Sequence, residues 1–363
     1  MKILRFFLLL LNIVAITCLL ATYCTYFISP QTFWLFEFIA LGYPLYLVLN
    51  IGFVAFWILT KKKKYAYISL IVIGIGYKSL FSFIGFGTSS SSTQDESSFT
   101  LVSYNVYAFN KKGWKFRSNI QHEVFLYLQQ EQPDIICFQE FHHDTQEPFV
   151  LLDSITNNLG LNHMAMYHFH AIPGRYFYGN IICSKFQIVN HGVLEFQKRG
   201  NSCVWADVVI ETDTVRIFNM HLESYRLTPH NISVLEDAVH TQGVEKKEYT
   251  TIKTKLSRAI QIRALQTQEL VAFFKNTPYK IIVCGDFNAP PYSHTYQNIK
   301  NASHTKDAFV SAGFGVGGTL NWNLPSIRLD YILYPQQWKA KQYSSVKQDL
   351  SDHFPISAQI SRN

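Results

Sequence analysis

Acids, amides and histidines recur where β-like runs stop. They are Asn105 in "SYNV", Glu140 in "CFQE", Asn180 in "YGN", Asn219 and His221 in "NMHL", Asp286 and Asn288 in "GDFN", Asp330 in "RLDY", and Asp352 with His353 in "SDHFP". One such residue means little, because Asn and Asp are ordinary turn formers. Seven such sites mean more, since loops held at strand ends on a rigid sheet are where catalytic groups tend to be placed. Hard oxygen donors of this kind suit Mg²⁺ or Mn²⁺, which accept one or two carboxylates and draw the rest of their shell from water and phosphate. Two histidines then remain for proton transfer or phosphate contact. The chemistry that fits is metal-assisted hydrolysis of a phosphate ester.

These residues need a framework. The apolar runs "FTLVSYNV", "DIICFQE", "YGNIICSK", "YKIIVCGDF", "LDYILY" and "HFPISAQI" read as strands, and "VWADVVI" with "TVRIFNMHL" as a hairpin across "ETDT". Helices are expected around residues 122–130 and 148–158. A long one over residues 245–276 carries a stripe with a period of about 3.6 residues. The polar stretch "GTSSSSTQDESS" has the composition of a flexible linker. The expected organisation is therefore 1–87, 88–98 as linker, and 99–363 as one domain. Cys137, Cys183, Cys203 and Cys284 lie inside strand-like runs with no CxxC spacing. They read as buried free thiols rather than a zinc site, with a disulfide left open by an oxidising compartment.

The first 87 residues have a different character. Residues 6–28 and 38–59 are free of charge and residues 65–86 carry only Lys78, so each run reaches the ~20 apolar residues that cross a bilayer. Three transmembrane helices are expected. Lys2 and Arg5 precede the first, "KKKK" (Lys61 to Lys64) separates the second from the third, and the first loop, "SPQT", is uncharged. With both basic clusters cytoplasmic, everything after Phe86 lies outside the cytoplasm. The expected location is the cytoplasmic (inner) membrane, multi-pass, with the following domain on the periplasmic side and the lipid bilayer as a partner. This segment also holds nearly all of the formal charge of +7. The rest of the chain is almost neutral and makes no global electrostatic case for a polyanion.

The ordered series "SYNV", "CFQE", "YGNIICSK", "NMHL", "CGDFN", "RLDYIL" and "SDHFP" resembles the endonuclease/exonuclease/phosphatase (deoxyribonuclease I-like) superfamily over residues 99–360. Membrane-anchored bacterial members with three N-terminal helices resemble it most closely. The resemblance implies an α/β fold, a four-layer sandwich of two packed mixed β-sheets flanked by helices. It implies Glu140 as the principal metal ligand, assisted by Asn105 and Asp352. His221, Asp286, Asn288, Asp330 and His353 are implied as catalytic, with Asp330 fixing the tautomer of His353 and the base being either His353 or Asp286. Asn180 and Asn219 are implied at the phosphate, and Arg175 and Tyr178 are candidate substrate contacts beside them.

The expected function is a metal-dependent phosphoesterase using Mg²⁺ or Mn²⁺, on a lipid head group or another small phosphoester. An extracytoplasmic nuclease is the alternative, to be recognised by a basic groove. A catalytically silent membrane scaffold is the alternative of another class, and the loss of a metal acid or site histidine would have favoured it. None is missing. No protein partner is indicated.

Overall fold

A strand buried on both faces must be apolar at almost every position, and "IICF" (residues 135–138), buried throughout, is. The computed structural model of the protein describes residues 2–88, 98–109, 118–146, 149–197, 201–240, 246–322 and 325–362. The chain divides into two compact units. The first comprises Met1–Phe83, Tyr225–Leu265 and Pro290–Gln297; the second comprises Ile84–Ser224, Gln266–Ala289 and Asn298–Asn363.

In chain order the helices are α1 (Lys2–Tyr23), α2 (Pro30–Phe33), α3 (Leu35–Ala40), α4 (Tyr43–Leu59), α5 (Lys63–Ile75), α6 (Tyr77–Phe83), α7 (Ser118–Glu131), α8 (Leu151–Leu159), α9 (Pro229–His240), α10 (Lys246–Lys275), α11 (His294–Ala302) and α12 (Ala308–Ala312). The strands are β1 (Gly85–Phe86), β2 (Ser98–Asn105), β3 (Ile135–Asp144), β4 (His163–Ile172), β5 (Tyr176–Ser184), β6 (Ile188–Glu195), β7 (Ser202–Ile210), β8 (Asp213–His221), β9 (Lys280–Asp286), β10 (Thr305–Asp307), β11 (Phe314–Gly315), β12 (Asp330–Pro335), β13 (Lys339–Ser345) and β14 (Ile356–Ser361).

The second unit holds two six-stranded sheets, ordered β10-β12-β9-β8-β7-β6 and β13-β14-β2-β3-β5-β4. Leu101, Cys137, Ile182 and Ala358 from one sheet and Ala206, Ile217, Ile282 and Ile332 from the other share one buried core, so the sheets pack face to face. Alternation sends the neighbouring residues the other way. Val102, Tyr104, Ile136 and Phe138 pack with Val124 and Leu128 of α7 and Ile155 of α8. On the opposite side Phe218 of β8 meets Phe273 and Phe274 at the end of α10. The result is the expected α/β sandwich. All four cysteines of the strands are buried and free.

The first unit corrects the expectation of three spans. Among the described residues one helix, Ile3–Tyr26, is long and apolar enough to cross a membrane, or two if the bent pair Lys63–Ile75 and Tyr77–Phe83 counts as one span. Composition counted apolar residues without asking for continuity. Pro30 and Pro44 start new helices, and the chain bends by 67° at the Gly76 break. Within this unit, Asn12 of α1 donates to Ser69 Oγ of α5 at 3.0 Å and accepts from Trp57 Nε1 of α4 at 2.9 Å. Apolar side chains of the same helices, among them Leu11, Val14, Val48, Ile51, Ile68 and Ile71, point outward and are exposed. The expected linker at 88–98 falls almost wholly outside the described residues.

Candidate active site

Two parallel strand pairs end at the same rim of the sandwich. β2 and β3 run parallel with Asn105 opposite Gln139, and β8 and β9 run parallel with His221 opposite Asp286. Antiparallel β12 then sets Asp330 opposite Asp286. Gly285, at φ 126°, precedes Asp286, and a side chain there would run into the Met220 carbonyl. Only glycine allows β9 to approach β8 so closely at this point.

Glu140 leaves the strand pattern. The register between β3 and β5 shifts between Phe138 and Phe141, and Glu140 has φ 51°. A bulge of this kind re-aims a side chain at the end of a ladder. The Asn180 Oδ1 atom accepts from the Glu140 backbone N–H at 3.4 Å, and Tyr178 donates its hydroxyl to Glu140 Oε2 at 3.0 Å. The other carboxylate oxygen, Oε1, lies 3.5 Å from His221 Nε2, which is itself 3.8 Å from Asp286 Oδ2.

Asp286 is the most connected carboxylate. Its Oδ2 accepts from Asn105 Nδ2 and Asn288 Nδ2, both at 3.1 Å, and its Oδ1 accepts from the Asn288 backbone N–H at 2.8 Å. His353 Nε2 stands 3.6 Å from the same Oδ2. The other ring nitrogen, Nδ1, is 2.8 Å from Asp330 Oδ2, and both side chains are buried. The next residue back, Asp352, faces differently, because residues 351–355 are irregular and Leu320 bridges to His353 alone. Ser351 Oγ holds the bend by donating to the Asn105 carbonyl at 2.8 Å and accepting from His353 N–H at 3.2 Å.

Burial and charge set the protonation states. Burial pushes Asp286 above the usual carboxylate range, while His353 and His221 pull it back. Burial likewise pushes Asp352 up to about 6; His353 opposes this, and Glu140 and Asp286 add to it. Burial works against charging His353, yet the carboxylates of Asp330 and Asp286 raise it well above its ordinary value.

Four carboxylates therefore meet two imidazoles. Among the described residues no lysine or arginine is hydrogen-bonded or ion-paired to Glu140, Asp286, Asp330 or Asp352. Asp330 Oδ1 is buried without a hydrogen-bond partner there. Uncompensated buried negative charge lined by oxygen donors fits a divalent cation. Asp286, Asp330 and His353 offer donor atoms within 4.8 Å of one another and could hold one. His353 Nδ1 occupies Asp330 Oδ2, and Glu140 and Asp352 add further carboxylate oxygens to the site.

Of the residues expected from sequence, Asn105, Glu140, Tyr178, Asn180, His221, Asp286, Asn288, Asp330, Asp352 and His353 come together here. Asn219 lies beneath them with its amide fully used, donating to the Phe138 and Ile181 carbonyls and accepting from Gln139 Nε2 at 2.7 Å. Arg175 is elsewhere: it is exposed at the tip of the β4–β5 hairpin, 3.6 Å from Asp144. Gln139 and Ser351 were missed as supports, although both stand inside the quoted "CFQE" and "SDHFP".

A two-sheet sandwich with a buried His–Asp pair beside an excess of acids at the strand ends has the makings of a metal-dependent hydrolase. Residues 102–353 match the model of the Endonuclease/Exonuclease/phosphatase family. The chain belongs to that family, and it is a metal-dependent phosphoric ester hydrolase. The fold is similar to that of the endonuclease/exonuclease/phosphatase from Beutenbergia cavernae DSM 12333, with 14% identity, TM-score 0.51, and 74% of this chain and 72% of that one covered. It is similar too to the family protein from Leptotrichia buccalis C-1013-b (16%, 0.51, 72% and 99%) and to that from Bacteroides vulgatus (15%, 0.51, 74% and 100%). Residues 5–83 match a second model, Domain of unknown function (DUF8431). No curated protein matches the chain.

Proposed function

We propose that the protein is a membrane-anchored phosphoesterase that hydrolyses a phospholipid head group or another small phosphoester on the outer face of the cytoplasmic membrane. The observation that carries the chemistry is the buried His353–Asp330 contact of 2.8 Å. It fixes Nδ1 and keeps the ring protonated, so Nε2 is a hydrogen-bond donor for a phosphoryl oxygen and not a base. Base work then falls to Asp286, whose carboxylate Asn288 and Asn105 orient toward the attacking water. His221 stands between Glu140 and Asp286, placed to donate to a phosphate oxygen or to the leaving group. Asn180 holds the Glu140 backbone and Tyr178 its carboxylate. Glu140, Asp352 and Asn105 are the residues that would hold Mg²⁺ or Mn²⁺. Such an ion, when bound, supplies positive charge against the charge that develops on the phosphoryl group.

The anchor is the N-terminal part of the first unit, with α1 as its full-length span. Outward-facing apolar side chains support this reading. Arg5 lies 5.8 Å from the centre of the Tyr65 ring, which brings both basic clusters to one end of the unit. At the other end of α1, Thr25 Oγ1 donates to the Tyr292 carbonyl at 2.9 Å. With the basic end cytoplasmic, Tyr292 lies outside. Lipid or small phosphoester is favoured over nucleic acid by tethering and by the weak net charge after residue 87.

The test is hydrolysis by the full chain in lipid nanodiscs. The panel is a generic phosphodiester, phospholipids, inositol phosphates and plasmid DNA, with Mg²⁺, Mn²⁺ or chelator, beside Asp286→Ala and His353→Ala. Metal-dependent turnover of a lipid or small ester that both variants abolish is expected. Plasmid DNA as the best substrate would replace this reading with the nuclease, and no turnover by a folded protein would replace it with the scaffold.

A further inference from the structure

Two identical triplets stand 228 residues apart: Gly85-Phe86-Gly87 and Gly313-Phe314-Gly315. They find each other. β1 and β11 pair antiparallel with Gly85 opposite Gly315 and Phe86 opposite Phe314, and Gly87 N–H donates to the Gly313 carbonyl at 2.9 Å. A two-stranded ribbon this short is not stable alone. Its support is α12, against which Gly87 lies so closely that a Cβ would collide with the Ala312 backbone. The ribbon is therefore fixed to the second unit, to which both strands belong.

Residues directly opposite on paired strands project from the same face. That face carries Phe86, 60% exposed, and Phe314, 82% exposed; Val316, just beyond the strand, is 48% exposed. Large apolar side chains held outward on a built ribbon are unlike scattered surface residues. Residues 79–94 and 308–327 are free of charge, so nothing in either strand's own sequence resists an apolar partner. What lies near is set by chain length. Phe83 ends the last apolar helix, and three residues span at most about 10 Å.

We propose that the β1–β11 ribbon is a bilayer-contacting wedge, whose Phe86 and Phe314 rings enter the interfacial region of the lipid. The inference rests on the reading of the first unit as a membrane anchor. It adds that residues of the second unit itself contact lipid. Aromatic and aliphatic side chains at the boundary of head groups and acyl chains are how a surface element gains membrane affinity.

The experiment uses the full chain in phosphatidylcholine/phosphatidylglycerol vesicles. Cys18 and Cys24 are replaced by alanine; the other four cysteines are buried and escape labelling. A nitroxide is placed through Phe314→Cys, and separately through Phe86→Cys, Leu11→Cys on the exposed face of α1, and Lys339→Cys on the exposed start of β13. Collision with oxygen, which prefers lipid, is compared with collision with a nickel chelate, which prefers water. Positions 314 and 86 are expected to show an oxygen-to-nickel ratio several-fold above position 339 and approaching that of position 11. A lipid-like ratio at 11 with a water-like ratio at 314 would overturn the wedge and leave the anchor standing. Water-like ratios at both 11 and 314 would overturn the anchor reading and the wedge with it. Spin–spin broadening at 314 that grows with the protein-to-lipid ratio would assign the ribbon to a second copy of the chain and also overturn the proposal.

Discussion

Replacing Asp330 by asparagine isolates what the buried pair contributes. The substitution keeps the shape of the side chain and its place in β12, and removes one charge 2.8 Å from His353 Nδ1. At an effective dielectric of about 20, unit charges centred about 4 Å apart attract by roughly 4 kcal/mol. The amide retains a hydrogen bond worth about 1 kcal/mol. The net loss of about 3 kcal/mol corresponds to roughly a hundredfold fall in kcat. KM should stay within about twofold, because Asp330 is 1% exposed and meets substrate only through His353. The sign of the pH effect follows as well. The native ring is held protonated well above its ordinary range by Asp330 and Asp286. Loss of one carboxylate lets the ring deprotonate earlier, so the alkaline limb of the kcat profile moves to lower pH. Steady-state kinetics on the best substrate, with the Asp330→Asn/His353→Ala double variant, is the assay. If Asp330 acts through His353, the double variant is no slower than His353→Ala. Fully additive losses, or a single variant retaining more than a tenth of kcat, would refute the reasoning.

Tyr178→Phe removes the hydroxyl that holds Glu140 Oε2, so Mn²⁺ affinity, followed by titration calorimetry, should fall by about tenfold with little change in Tm. Asp352 is pushed up to about 6, so protons compete with the metal there: Mn²⁺ binding should weaken as pH falls from 7.5 to 5, and an affinity independent of pH would exclude Asp352 as a ligand. Asn219→Ala strands two buried carbonyls and the Gln139 amide, costing about 2 to 3 kcal/mol of stability. Thermal unfolding should register that loss while KM stays unchanged; a raised KM at unchanged Tm would return Asn219 to the phosphate.

Local chemistry explains which parts of this arrangement were legible in the sequence. Asn105, Glu140, Asp286 and Asp330 stand where an apolar run stops, and both the run and the stop are written in neighbouring residues. The strands that escaped notice are polar. β4 (His163–Ile172) mixes histidines and aromatics, and β6 and β13 keep few buried positions because they lie at sheet edges. The His353–Asp330 pairing spans 23 residues and came from resemblance, since the register of β12 on β9 is a property of two strands together. The bulge that turns Glu140 into the site is hidden for the same reason: it exists only against β5. Arg175 stands out in the sequence as a basic residue beside "YFYGN"; it stands exposed at the β4–β5 tip, 3.6 Å from Asp144 at the end of β3, an ion pair between strands that the sequence does not reveal. For the helices, hydropathy counted residues and not breaks, so Pro30, Pro44 and Gly76 went unweighed.

The division of the chain bears on how the enzyme can be prepared. A fragment starting near Gln94, within the low-complexity stretch, would separate the helices from the rest of the chain. Yet Tyr225–Leu265 and Pro290–Gln297 belong to the same unit as the N-terminal helices. Within that unit the Tyr292 ring centre lies 4.6 Å from that of Tyr43 and, edge-on, 5.9 Å from that of Phe83, its carbonyl accepts from Thr25, and His294 N–H donates to Glu37 Oε2 at 3.0 Å. Removing residues 1–93 deletes every one of these partners. Two hydrogen bonds at about 1 kcal/mol each and a buried tyrosine at about 2 to 3 kcal/mol sum to roughly 4 to 5 kcal/mol. That is a large part of the 5 to 15 kcal/mol that stabilises a typical domain. It is lost four residues after Asn288, on the segment that follows the proposed base. The fragment should therefore melt well below the full chain and be cut by trypsin within residues 225–265, with kcat depressed even on a small soluble phosphodiester. A fragment that matches the full chain in Tm, protease resistance and kcat on that ester would show that the helices only tether the catalytic unit and do not help build it.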